Sequence, residues 1–261
     1  MSPTQEGLEL YEKCKAMAAN FKEAEALISN LDGIPRGILR IACTVAFGKS
    51  QLIQLLPEFM EENPEVQISL DLTDREIDLQ GEGFDAAICF AEQRKNPDIV
   101  VRRIMRSRRV LCASPSYLER RGIPTDFAAL AKHNCLRVAG NSGRNSWNTV
   151  EPDNGHDFEA QGNFEGNSTD VILRATLAGV GIARLPRYMT DQKFESGELV
   201  HVMPEYSPPS TDIVVMFAER RNLAPKTRAF VDFLVRRFRD VADYQATGSE
   251  AQGSNKNMEK G

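Results

Sequence analysis

The chain has no apolar run approaching the roughly 20 residues a helix needs to cross a bilayer. Its opening, MSPTQEGLELYEKCK, lacks the basic flank and apolar core of a secretory leader. These two absences predict a cytoplasmic protein with no membrane partner. Positive charge is also short: 32 Lys and Arg stand against 37 Asp and Glu, a net −5, so the chain has no basic field to draw it to nucleic acid or anionic lipid. Histidine is scarce, and His133, His156 and His201 lie far apart, outside any metal-ligand spacing. The five cysteines, Cys14, Cys43, Cys89, Cys112 and Cys135, are odd in number and include no Cys-x-x-Cys pair. They read as reduced, small apolar side chains, which predicts neither disulfide nor metal centre, and no motif calls for a cofactor. No nucleophile with a nearby base stands out. Asp85 and Asp170 are the nearest catalytic candidates, and each has a simpler role at a strand end or a helix cap, so the chain is not read as an enzyme.

What the chain does have is concentrated in residues 37–72, GILRIACTVAFGKSQLIQLLPEFMEENPEVQISLDL. Ile38 to Ala46 is an apolar run interrupted only by Arg40 and Thr44, which suits a strand buried on both faces. A polar turn at Gly48 to Gln51 follows. Leu52, Ile53, Leu55, Leu56, Phe59 and Met60 then form one helical stripe, and Val66, Ile68, Leu70 and Leu72 alternate as a strand. This is a βαβ unit in a parallel sheet, where ligands settle at strand ends against helix N-termini. A second stretch repeats the logic: Asn167, Ser168, Thr169 and Asp170 precede a helix at 171–178, and 182–186 is a buried strand stopped by Pro186. One such element in each half of the chain predicts an α/β protein of two lobes with a cleft between them.

Ahead of these units, Ser2 is expected to cap a helix on which Leu10, Cys14, Met17, Phe21, Ala24, Ile28 and Leu31 recur at alternating spacings of four and three. That is a heptad seam, and it predicts a dimerising helix ended at Asp32-Gly33. Elsewhere, 73–79 is expected as a short helix, 84–90 as a buried strand and 135–138 as a strand. The cluster Arg102, Arg103, Arg106, Arg108 and Arg109 reads as a solvated or salt-bridged hinge face, because no aromatic residues interleave it to stack on bases. Trp147 is open to two readings, a local plug or a cleft wall. Residues 241–261 are polar and Gly/Ser-rich and are expected to be disordered.

In this order, Gly37-x-Leu39-Arg40-Ile41, Phe47-Gly48, Leu55-Leu56-Pro57-Glu58-Phe59, Gly83-Phe84-Asp85-Ala86-Ala87-Ile88, Arg109 to Leu118, Gly179 to Pro186 and Arg228 to Leu234 resemble the effector-binding region of LysR-type transcriptional regulators, over nearly all of residues 2–240. The resemblance implies a type 2 periplasmic-binding-protein-like fold, two Rossmann-like α/β lobes preceded by a long N-terminal helix. Residues 1–32 would be the linker and dimerisation helix, 37–106 plus 211–240 lobe I, and 107–210 lobe II. It implies a small-molecule effector held by Thr44, Val45, Ala46, Phe47, Gly48, Cys89, Phe90, Asn167, Ser168, Thr169 and Arg184, and self-association as dimer or tetramer. The family's winged helix-turn-helix normally precedes the linker helix, and this sequence opens where that head would end. DNA is therefore expected as a partner only through an upstream head. Many relatives carry Arg where Cys89 stands and Pro where Thr44 stands. Losing that Arg removes a bidentate partner for a carboxylate, a role Arg184 could take over. The alternative reading is a cytoplasmic or periplasmic solute-binding protein of the same fold. A lesser one is thiol sensing by Cys43 and Cys89.

Overall fold

The computed structural model describes residues 4–11, 13, 14, 17, 32–79, 81–91, 99–140, 143, 145–147, 158–206, 210–218 and 223–253, with side chains of the last helix described to residue 239. Residues 5–11, 13, 14 and 17 are helical and constitute α1. Its expected cap at Ser2 lies outside the described residues; Thr4 Oγ1 accepts from the Gly7 N–H at 3.2 Å and satisfies one first-turn donor. Of the heptad seam, Leu10, Cys14 and Met17 are described and exposed, while Phe21, Ala24, Ile28 and Leu31 lie outside the described residues.

The βαβ unit is present. Strand β1 (Gly37–Cys43) leads through α2 (Val45–Phe47), a π-helical turn (Gly48–Leu52) and α3 (Ile53–Glu62) into β2 (Val66–Leu72). β1 and β2 pair in parallel from Gly37 opposite Val66 to Cys43 opposite Leu72. The second half of β1 is buried on both faces, as a central strand requires: Ile41, Ala42 and Cys43 are all inaccessible. Strand β3 (Ala86–Phe90) lies parallel on the other side of β1. β10 (Thr211–Ala218) then runs antiparallel between β3 and β4 (Ile99–Ser107), completing a five-stranded sheet of order β2-β1-β3-β10-β4.

From β4 the chain crosses at Arg108 into β5 (Arg109–Ala113), the centre of a second, three-stranded sheet β8-β5-β9 with β8 (Ala183–Pro186) and β9 (Val200–Val202). A two-stranded parallel pair, β6 (Arg137–Val138) and β7 (Glu165–Gly166), extends it through a bridge between Cys135 and Ile182. The further helices among the described residues are α4 (Pro115–Arg121), α5 (Phe127–Leu130), α6 (Thr169–Leu177), α7 (Arg187–Glu195) and α8 (Pro225–Gly253). The caps on α4, α5 and α6 are local in origin: Ser114, Asp126 and Ser168 each accept a hydrogen bond from a first-turn N–H.

Each sheet has its own core. In the first, Phe59 packs its ring 5.3 Å from both Phe230 and Phe233 of α8. In the second, Trp147 is 1% exposed and lies 5.7 Å from Phe158, so it is a plug of the second lobe and not a cleft wall.

Two expectations are corrected. Residues 73–79 are not helical, because local side-chain bonds compete with the helix: the Asp78 carboxylate accepts from the Gly81 N–H at 2.9 Å, and Thr73 Oγ1 from the Arg75 N–H at 3.4 Å. And the backbone of 241–253, within the stretch expected to be disordered, continues α8 to Gly253. No proline interrupts it, and its Ala, Gln and Glu residues are good helix formers.

Candidate functional site

The two sheets meet where β1 and β3 of the first end and where α6 and β8 of the second begin and end. Between them lies a recess of about 280 Å³, counted out to its open mouth, lined by Phe90, Arg109, Val138, Thr169, Arg184 and Pro186. Phe90 is the last residue of β3, in the first lobe. The other five belong to the second lobe. In the β5–β8 ladder Arg109 stands opposite Pro186, and Arg184 lies two residues from Pro186, so all three project from one face of the sheet. The Arg109 guanidinium sits over the Phe90 ring, 5.2 Å from its centroid, a cation–π contact that joins the lobes. Tyr206 hydrogen-bonds Arg184, and burial pushes the Tyr206 phenol above its ordinary value despite the two arginines nearby. One wall of the recess is thus cationic and held in place, and the facing wall is aromatic.

Of the residues expected at the site, Phe90, Thr169 and Arg184 line the recess. Thr44 is buried at the N-cap position of α2, where its side chain makes no capping bond. Ala46, Phe47 and Gly48 turn inward. Phe47 is fully buried between Tyr188 and Phe238, because the helix starts directly after Thr44 and swings these residues onto the core. Cys89 is also buried, its thiol 3.8 Å from the Met216 sulfur, since alternation along β3 sends it to the face opposite Ile88. The side chains of Ala46, Phe47 and Cys89 therefore do not line the recess. Asn167 is exposed, and Ser168 is committed to the α6 cap.

Arg109, Val138 and Pro186 escaped the sequence reading. Arg109 was hidden in the arginine cluster, two members of which form a salt-bridged face: Arg102 pairs with Asp232 at 3.1 Å and Arg106 with Asp212 at 3.8 Å. Only the start of β5 turns Arg109 inward.

Three further groups close the cleft beside the recess. Lys49 Nζ lies 2.9 Å from Asp170 Oδ2 across the lobes. Burial pushes the Asp170 carboxyl up, but hydrogen bonds from Lys49 and Arg174 outweigh it and hold the group below the ordinary carboxylate value. Asp74 Oδ1 accepts from the Val45 N–H at 3.1 Å, and its Oδ2 accepts from the Thr169 N–H at 3.2 Å. Among the described residues no group of three or more His, Cys, Asp and Glu could hold a metal, and no helix is long and apolar enough to cross a membrane.

A two-lobed α/β domain with a small cationic recess between its sheets is the architecture of a ligand-binding module. The sequence profile of the LysR substrate binding domain matches residues 32–239, and the chain belongs to that family, the effector-binding domains of LysR-type transcriptional regulators. An uncharacterized HTH-type transcriptional regulator of Haemophilus influenzae is 32% identical over 224 residues, covering 86% of this chain and 77% of that protein. The HTH-type transcriptional activator TtdR of Escherichia coli is 28% identical over 233 residues, covering 88% and 74%. The regulatory domain of CrgA, a LysR-type regulator from Neisseria meningitidis, superposes with a TM-score of 0.72 at 24% identity, covering 78% of this chain and all of that one. This last likeness establishes the two-lobed fold. The relatives are transcriptional regulators and not enzymes.

Proposed function

We propose that the recess between the sheets is the effector site, and that the chain reports its occupancy by a change in the angle between the lobes of a self-associated cytoplasmic regulator. The observation that carries this reading is the shared lining: Phe90 comes from one lobe, and Arg109, Thr169 and Arg184 come from the other. A ligand touching both has different contact energy at different lobe angles, which is the requirement for shifting a conformational population. With two guanidinium groups on one wall and Phe90, Val138 and Pro186 around them, the chemistry fits a small carboxylate metabolite.

Calorimetric titration of small mono- and dicarboxylates against the chain and its Arg184→Gln variant tests the site. A charge-assisted contact is worth about 1.5–3 kcal/mol, so the variant should lose about 10- to 100-fold in affinity for any carboxylate that binds. Binders indifferent to Arg184→Gln would place the effector elsewhere.

Self-association is assigned to α1. Leu10 is 67% and Met17 71% exposed, large apolar side chains left without cover in the single chain. Sedimentation of a Leu10→Glu, Met17→Glu double variant should show a smaller assembly than the unaltered chain.

A further inference from the structure

We propose that Asp74 is a tethered anion that latches the two lobes together, holding with one carboxylate the first backbone amide of a helix in each lobe. Val45 opens the helical run after β1, and Thr169 opens the nine-residue α6. Neither amide has a partner inside its own helix, and both carry the positive end of a helix dipole. A single carboxylate answers both, at 3.1 and 3.2 Å, although Asp74 lies 95 residues from Thr169. Its own segment is fastened to the first lobe. The Thr73 N–H donates to the Cys43 carbonyl at 2.8 Å, which fixes the backbone next to Asp74 against the end of β1. The latch is thus anchored on one side and reaches across to the other.

A second cross-lobe bond, Lys49 to Asp170, engages the adjacent residue of the same first turn of α6. Thr169, which the latch holds by its backbone, also lines the recess. Ligand and latch therefore share a residue, and a ligand that moves α6 acts directly on the Asp74 bond. There is also a consequence for ligand orientation. The two helix N-termini that would otherwise receive an anionic group are already occupied by the chain's own carboxylate. A ligand's negative charge is left to Arg109 and Arg184.

This inference takes from the proposed function only that the cleft is the effector site, and its test needs no effector. Amide hydrogen exchange is followed in the full chain, in Asp74→Ala and in Asp74→Asn, with and without sodium acetate as a free carboxylate. Asp74→Ala should speed exchange at both Val45 and Thr169 by about tenfold or more, the equivalent of one hydrogen bond each. The paired amides of β1 and β3 should stay as protected as in the unaltered chain. Acetate should slow both released amides in Asp74→Ala and change nothing in the unaltered chain. Asp74→Asn, with a single acceptor oxygen, should leave one of the two amides protected and keep the fold if the alanine variant does not. Thr169 exchange unchanged in both variants would overturn the latch, as would a response confined to Val45, which is what simple capping within the first lobe produces.

Discussion

Replacing Phe47 with alanine separates the two roles this residue can have. The family resemblance places it among the effector contacts. The structure buries it completely, with the Tyr188 ring of α7 edge-on at 5.9 Å and the Phe238 ring of α8 tilted at 5.4 Å. Truncating a fully buried phenylalanine to alanine costs about 3–5 kcal/mol, from lost transfer energy and the cavity left behind. Part of that is the two ring contacts, each worth about 0.5–1.5 kcal/mol beyond the area they bury. A natural domain has only about 5–15 kcal/mol in all, so the variant should lose about a fifth or more of its stability. Urea unfolding followed by circular dichroism reads this as a fall in midpoint with the slope unchanged. Phe47→Leu, which keeps most of the volume, should lose clearly less. A loss below about 1 kcal/mol in Phe47→Ala, together with weakened carboxylate binding, would refute the core assignment and return Phe47 to the ligand.

Stability should also fall as the pH drops below about 6.5. His201 stacks on Phe194 at 5.4 Å, and burial, followed by the Arg187 charge, holds its pKa below the ordinary 6.5 against the opposing pull of Glu205 and Asp191. His133 is lowered too, by burial and then Arg121. The folded state favours the neutral rings, so the unfolded chain takes up protons first. Their contribution is complete above about 6.5 and is lost as pH falls through the lower folded values. Melting temperatures should therefore decline below pH 6.5, less so in His201→Phe; a flat profile, or one unchanged in the variant, contradicts this. For the thiols, Cys14 is exposed while Cys43, Cys89, Cys112 and Cys135 are buried. Burial pushes the Cys43 and Cys112 thiols far up, and that of Cys135 up to about 12. A thiol reagent should modify one cysteine quickly in the native chain and all five in denaturant. A second fast thiol would show that Cys43 or Cys89 is open to the oxidants that thiol sensing requires.

The sequence reading succeeded where the signal is local and failed where it is not. Apolar periodicity located β1, α3 and β2, and of the four residues 167–170 expected ahead of α6 it is Ser168 that caps the helix. The resemblance put Thr44 to Gly48 against a ligand, and the structure turns Ala46 and Phe47 inward instead. Strand periodicity ends at Cys43, and the helix that follows without a loop rotates Ala46 and Phe47 onto the core. The groups that join the lobes leave no trace in a linear reading. Lys49 and Asp170 are 121 positions apart, Asp74 and Thr169 are 95, and neither pair shares a periodic element. Arg109 could have been separated from its cluster by one observation: it opens a strand whose next four residues are all buried, whereas Arg102, Arg103 and Arg106 lie on a strand with an exposed face.

These placements together divide the work between the lobes. The second lobe supplies Arg109, Arg184 and the Tyr206 hydroxyl, so it holds the charge that can bind an anion without help from the first. The first lobe offers the recess Phe90, an apolar ring that gains contact only when the lobes approach. It also supplies Asp74 and Lys49, whose bonds cross the cleft to α6. On the proposed reading, a carboxylate docks first on the second lobe, and its remaining surface then decides how far the first lobe can close. A ligand that fits under Phe90 adds its contact to the Asp74 and Lys49 bonds. One that is too large must break them, and the Lys49 pair, a single contact from a lysine 48% exposed, gives way more readily than the Asp74 carboxylate with its two amides. Ligand size is then read out as a choice between keeping and releasing α6.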